Sequence, residues 1–391
     1  MNRNNRLPYY VLALLVLLAL IYRVANPPKP PIPGPLGQMP HWDSMTRVGE
    51  MGPWAVNPSG TMWVGAWNQK KDGKIHSAVW IIDLVNKKAT PYEMDDGLFV
   101  SDLYWEDNDS VRVLTLNSDV PNEIKKSRMM SIDADKGKVG KAEEVSPTII
   151  RVLGLSPRAA TSDGQALAVL LVDEQGRFRI AVLDDSDMSV AGKEAFVDID
   201  ASNRPGRMAA VDHDRAEYVV FSVVEGQIGG NDRFYLVHTK TGTVKQIFRA
   251  EDLPGRVEGI WVSPVGVLLV VSERDKFHRV KYDLATGKIE DLKPRTKLDL
   301  ARNWPDAPKS MMFVSYNGGY ELDLETGAVK RLFDLTKLDR ITGYWREQVQ
   351  DGRLYPRKDG NYTSVSALAN AIDIRVINKD GSKAERVLPR R

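Results

Sequence analysis

Apolar positions along this chain follow two patterns. Residues 9–22 read Tyr-Tyr-Val-Leu-Ala-Leu-Leu-Val-Leu-Leu-Ala-Leu-Ile-Tyr, an unbroken apolar run. Past residue 51 no stretch sustains helical spacing. Short runs rich in β-branched and aromatic residues recur there, separated by Gly, Asn, Asp and Pro. This alternation predicts an all-β body.

The runs repeat as a unit. A strand ends on a fixed residue and glycine stands four positions later: Asp133 and Gly137, His238 and Gly242, Asp283 and Gly287, Asp323 and Gly327, Ile377 and Gly381. Two more strands end the same way without the glycine, at Asp83 before Lys87 and at Asp184 before Met188. Glycine takes the left-handed conformation of a tight turn there, while the Asp side chain bonds the turn backbone. Upstream of each anchor a turn precedes a strongly apolar strand. The pairs are Asn57-Pro-Ser-Gly60 before 61–67, 106–109 before 110–116, Ser156-Pro157 before 166–172, and 212–214 before 217–224. Ser263-Pro-Val-Gly266 before 267–272, Trp304-Pro-Asp306 before 310–315 and Asp351-Gly352 before 353–355 complete the series. Successive anchors lie 50, 51, 54, 45, 40 and 54 residues apart, room for four strands per unit.

Together these turns and strands resemble those of TolB-like and WD40-like bacterial β-propellers over residues 52–391. The seven anchors imply a seven-bladed propeller, or a six-bladed one if the stretch 367–371 interrupts the last unit. What the resemblance implies is a fold and a tendency to bind partners, not a reaction. The Asp283-Leu-Ala-Thr-Gly-Lys288 turn is also similar to that of quinoprotein dehydrogenase propellers, where a Trp follows the Asp by eight residues. Here the corresponding positions hold Pro91, Lys141, Gln246, Asp291 and Arg331, so no quinone cofactor is implied.

The apolar run at 9–22 is short for a membrane helix, but flanking residues extend it to 9–26 if Arg23 snorkels, and Tyr9, Tyr10 and Tyr22 suit the two interfaces. Cleavage after Ala25 or Ala19 would put Arg23 or Leu17 where a small residue is wanted, which favours an uncleaved signal anchor. The expected order is a cytoplasmic tail at 1–8, a single transmembrane anchor at 9–26, a Pro-rich stalk at 27–51 and the propeller at 52–391, outside the cytoplasm in the periplasm or at the cell surface. Prolines at 27, 28, 30, 31, 33, 35 and 40 make the stalk an extended polyproline segment reaching about 40 Å.

Charge narrows the choice of partner. Arg3, Arg6, Arg23 and Lys29 account for four of the 54 basic residues and residues 1–29 hold no acid, so the remainder sets 50 basic against 52 acidic residues. A nearly neutral body has no footprint for a phosphate backbone, so no nucleic acid partner is expected. The chain has no cysteine, which excludes disulfides, thiolate metal sites and a cysteine nucleophile.

Candidate chemistry is sparse. No two of His41, His76, His213, His238 and His278 stand three or four apart, so there is no helical metal pair. His238 fills an anchor position, and His213 lies between Asp212 and Asp214 in a turn slot. The acidic pairs and clusters at 95–96, 107–109 and 184–187 lack the glycine and closing Glu of a calcium loop and read as hairpin turns. Gly154-Leu-Ser-Pro-Arg158 lacks the second glycine of a nucleophile elbow, and Gly226-Gln-Ile-Gly-Gly230 precedes no helix. Trp54, Trp63, Trp67 and Trp80 crowd the first unit as core or partner anchors. No catalytic, cofactor or metal residue is therefore assigned. The expected function is a membrane-anchored binding or scaffolding module for a protein of the envelope. A glycan or peptide hydrolase or lyase at the central channel is the alternative.

Overall fold

The computed structural model describes residues 49–387, apart from 72–73, 87, 96, 118–126, 146–147, 158–164, 173–177, 185–193, 198–203, 214–216, 225–231, 274–275, 316, 336–351 and 369–370. All of these belong to the compact unit Pro40–Arg391. The expected tail, anchor and nearly all of the stalk lie outside the described residues. Among the described residues no helix is long and apolar enough to cross a membrane.

The body is a succession of antiparallel meanders. The first is β1 (Gly49–Val56), β2 (Met62–Lys71), β3 (Lys74–Asp83) and β4 (Lys88–Glu93); the second is β5 (Leu98–Trp105), β6 (Ser110–Asn117), β7 (Ser127–Asp133), β8 (Lys138–Val139) and β9 (Glu143–Val145). The third holds β10 (Ile149–Pro157), β11 (Gln165–Val172), β12 (Phe178–Asp184) and β13 (Ala195–Phe196). The fourth runs β14 (Arg204–Val211), β15 (Tyr218–Val224), β16 (Asp232–His238) and β17 (Thr243–Arg249). The fifth comprises β18 (Arg256–Ser263), β19 (Gly266–Glu273), β20 (Lys276–Asp283) and β21 (Ile289–Leu292). A short helix α1 (Leu300–Asn303) precedes β22 (Ser310–Ser315), β23 (Gly318–Asp323) and β24 (Val329–Asp334). Last come β25 (Gly352–Pro356), β26 (Tyr362–Leu368), β27 (Ala371–Ile377) and β28 (Ala384–Arg386).

Among the described residues the meander β22–β24 has no first strand of its own. β25 takes that edge, with Met312 opposite Leu354 and Phe313 opposite Arg353, so the last two meanders share one seven-stranded sheet. The described residues thus form six hydrogen-bonded sheets from seven meanders.

The second strands explain why the chain stacks this way. They are apolar on both faces, and the period of two divides each between two neighbours. Leu167, Val169 and Leu171 of β11 pack toward the second meander with Leu114 and Met129, whereas Ala168 and Leu170 pack toward the fourth with Val219 and Phe221. In β19, Val267, Leu269 and Val271 meet Phe234 and Phe248, while Leu268 and Val270 meet Phe313 and Leu322. Each apolar cluster fills the space between consecutive meanders, so the core is a series of sheet-to-sheet contacts. The fourth strands β17, β21 and β24 are mostly exposed and form outer edges.

The expected glycine turns are present. Gly137, Gly242, Gly287, Gly327 and Gly381 all have φ between 64° and 73°. Three expectations need correction. β1 starts at Gly49, inside the segment read as stalk, because Gly49–Met51 already pair with Trp67–Gln69. Asp351-Gly352 does not precede the buried strand of the last unit. β25 is that unit's first strand, and the turn sits at 357–360, where Gly360 has φ 80°. The stretch 367–371 does not interrupt a strand: Ala367 and Leu368 end β26, Ala371 begins β27, and Leu368 stands opposite Ala371.

Candidate functional site

The first strands of the first five meanders share a feature that their second strands lack. Register shifts fall between Met51 and Trp54, Val100 and Asp102, Ile149 and Arg151, Val152 and Gly154, Pro205 and Ala209, and Val257 and Gly259. A bulge interrupts the ladder and leaves backbone groups in need of other partners. Side chains from other strands provide them. Asn68 takes both groups of Val100, accepting from its N–H at 2.9 Å and donating to its carbonyl at 3.0 Å, and Ser77 Oγ donates to Asn68 Oδ1 at 2.7 Å. Asp102 accepts from Leu103 N through Oδ1 and from Val152 N through Oδ2, both at 2.9 Å. Ser127 Oγ accepts from Ile149 N at 2.9 Å and donates to Val145 O. The second meander is thereby bonded to the first and the third.

A charged version of this arrangement joins β18 to β25. Glu258 Oε1 accepts from Ser272 Oγ at 2.7 Å and from Arg256 Nε at 2.9 Å. Its carbonyl accepts from Arg353 at 2.9 Å, and the Arg353 guanidinium lies 5.3 Å from the centre of the Phe313 ring. Arg353 therefore crosses the position that a first strand of the sixth meander would fill. Tyr355 shares its face of β25, two residues on. Burial pushes the Tyr355 phenol above its usual range; Arg353 opposes the shift and Glu258 adds to it. Within the ion pair the Glu258 side chain is 8% exposed and that of Arg256 is 53% exposed, so the pair offers a held charge at the sheet's inner end with its cationic half toward solvent.

The turns between first and second strands are tied to one another. Asn57 Nδ2 donates to Asn108 O at 2.9 Å and Ser59 N to Asn108 Oδ1 at 3.0 Å. Trp304 Nε1 donates to Gly266 O at 3.0 Å, and His213 Nδ1 meets Asp306 Oδ1. Thr363 Oγ1 donates to Gly60 O at 2.8 Å and Arg357 to Leu84 O at 3.2 Å, which brings the last meander against the first.

The residues weighed from sequence are divided between turns and strands. His238 Nδ1 accepts from Thr241 N within its anchor turn. Asp212 is buried and accepts from Tyr218 N at 2.6 Å. Asp107 Oδ1 accepts from Asp109 N and Ser110 N, as a hairpin turn requires. His278 pairs with Asp291 on the next strand at 3.0 Å. Trp63, Trp67 and Trp80 are buried. His41 lies outside the described residues, and no group of three or more metal-ligating side chains occurs among them. Arg256, Glu258, Arg353, Asn68 and Asp102 were not singled out from the sequence; the only local signal would have been the break in alternation that each bulge causes.

Strand order, the stacked apolar faces and the return of the last meander to the first define an all-β protein of the propeller type. No family model matches the chain, and no curated protein matches it. Similar solved structures include the β-propeller domain of the trilobed protease from Pyrococcus furiosus, at 12% identity and a TM-score of 0.37 over 88% of this chain and 99% of that one. The protein lmo1340 from Listeria monocytogenes has 12% identity and a TM-score of 0.41 over 87% of this chain and 94% of that one. TolB from Acinetobacter baumannii has 12% identity and a TM-score of 0.34 over 92% and 87%. The expected resemblance to TolB-like propellers is found at the level of fold, and the architecture itself rests on the sheets described above.

Proposed function

We propose that the chain is an exported, membrane-anchored propeller of seven blades that binds a protein partner in the envelope. The partner would meet the face on which first strands begin and second strands end. The observation carrying this reading is the Arg256–Glu258–Arg353 cluster: it combines one exposed cation with a carboxylate held by Ser272, at the inner end of β18. Fixed, partly desolvated charges of this kind favour specific recognition, because their side chains are already ordered before a partner arrives. The second and third strands that meet at this face are separated in sequence by two residues, as between Lys71 and Lys74, to nine, as between Asn117 and Ser127. Function on propeller-like frames commonly resides in such connections.

The test is crosslinking in intact cells followed by capture of the full chain, with the Arg256→Glu variant alongside the wild type. A partner recovered by the wild type and lost by the variant supports the reading. Recovery of no partner, or of the same partner at the same yield from both, overturns it. Topology reporters fused at each end read the anchor and the export of the body separately.

A further inference from the structure

Three Asn-x-Ser/Thr tripeptides occur in the chain, each with its asparagine in a turn between a first and a second strand: Asn57-Pro58-Ser59, Asn108-Asp109-Ser110 and Asn361-Tyr362-Thr363. In an exported chain this tripeptide is the acceptor for N-glycan transfer unless its middle residue is proline. Pro58 bars the first. Glu106 and Asp359 stand two positions before the other two asparagines, so a transferase that also demands an acid there accepts both sequences.

The fold separates them. Thr363 is fully buried and its hydroxyl is committed to Gly60 O at 2.8 Å, while the Asn361 side chain bonds the Asp359 carboxylate. The hydroxyl the motif needs is closed to an enzyme, and the carboxamide is already engaged. Asn108 lies in the exposed run 106–109. Its contacts with the first meander are made by oxygen: Oδ1 accepts from Ser59 N at 3.0 Å and the carbonyl accepts from Asn57 Nδ2 at 2.9 Å. These contacts orient the carboxamide without using Nδ2, the atom a glycan joins. Ser110 is held through its backbone N–H by Asp107, which leaves its hydroxyl out of that bond.

We infer that Asn108 is a glycan acceptor and that Asn361 is closed to transfer in the folded chain. In the transfer, Nδ2 forms a bond to the anomeric carbon of a polyprenyl-pyrophosphate-linked oligosaccharide. The bond from that carbon to the pyrophosphate oxygen breaks, polyprenyl pyrophosphate leaves, and one Nδ2 proton passes to a base of the transferase. Oδ1 keeps its bond to Ser59. The inference rests on the export proposed above for its setting in the cell, but its geometry is testable apart from it.

Purified full-length chain is incubated with a bacterial oligosaccharyltransferase and a polyprenyl-pyrophosphate-linked oligosaccharide, and the glycopeptides are mapped by mass. Labelling of Asn108 should exceed that of Asn361 about tenfold or more, the ratio that a modest cost of local opening imposes. Ser110→Ala should abolish it while leaving the Asn108 contacts to Ser59 and Asn57 in place. Heat-denatured chain should be labelled at both sites. No labelling at Asn108 in the folded chain, or equal labelling at the two, overturns the inference. Because the assay uses purified chain, its failure is distinct from a failure of export, which the topology reporters measure.

Discussion

Asp283 organises its turn through one carboxylate. Its Oδ1 accepts from Ala285 N at 3.1 Å, Thr286 N at 2.9 Å and Thr286 Oγ1 at 3.0 Å, and Lys281 approaches Oδ2 at 3.2 Å. The backbone bond from Thr286, then the Lys281 and Thr286 side chains, lower its pKa to about 2. A carboxylate depressed below its unfolded value of 3.8 adds stability above that value, and the addition is lost as pH falls through about 2. Asp283→Asn keeps the acceptor oxygen and removes the charge. Its urea midpoint should lie below that of the wild type near neutral pH, and the gap should close as pH drops from 4 toward 2. A gap that stays constant with pH would show that the charge contributes nothing. The groups are exposed, so the effect belongs to this turn and should shrink in salt.

At the scale of elements, the glycine turn after the third strand was readable in sequence because its requirement is local. A left-handed residue four positions after a capping Asp leaves few choices but glycine. Gly327 carries a second requirement that no local pattern reveals. A Cβ there would lie 2.3 Å from the guanidinium of Arg279, which is buried and donates to the carbonyls of Leu324 and Glu325 from the preceding meander. Gly360 has a similar φ of 80° and nothing within 4 Å of its would-be Cβ. Gly360→Ala should cost about 1–2 kcal/mol from left-handed strain alone. Gly327→Ala should cost about 1–3 kcal/mol more as Arg279 loses its acceptors. Equal urea midpoints for the two variants would count against the Arg279 clamp. The same contrast explains what sequence concealed elsewhere. The apolar second strands announce themselves as continuous runs, whereas the bulges of the first strands break the alternation that would mark them. The sixth meander's missing strand is replaced by β25, whose own sequence says nothing of β22. Glu258 and Arg353 stand 95 positions apart and meet only through that substitution.

At the scale of the whole molecule the issue is how the series of meanders closes. Among the described residues no strand of the first meander pairs with the last sheet. Side chains make the junction instead: Thr363 Oγ1 to Gly60 O, Arg357 to Leu84 O, and Tyr355 seated where a Cβ on Gly60 would fall 2.3 Å from its own Cβ. Bonds of the same kind, such as Asn68 to Val100, tie the first meander to the second. Removing these contacts should loosen the frame at its seam. The double variant Thr363→Val with Arg357→Ala removes both hydrogen bonds while keeping the shape of the buried Thr363 site. Each bond contributes about 1 kcal/mol, so amide protection at β1, β2, β25 and β26 should fall about thirtyfold, with β15, β16, β19 and β20 unchanged. Hydrogen exchange read by mass along the chain checks it. A uniform loss of protection would mean that the ring opens only by global unfolding, and no loss would mean that Tyr355 and its neighbours hold the seam without those bonds. The localised outcome is the one a binding frame can use, because a partner spanning the first and last meanders would then restore the lost protection on the same elements.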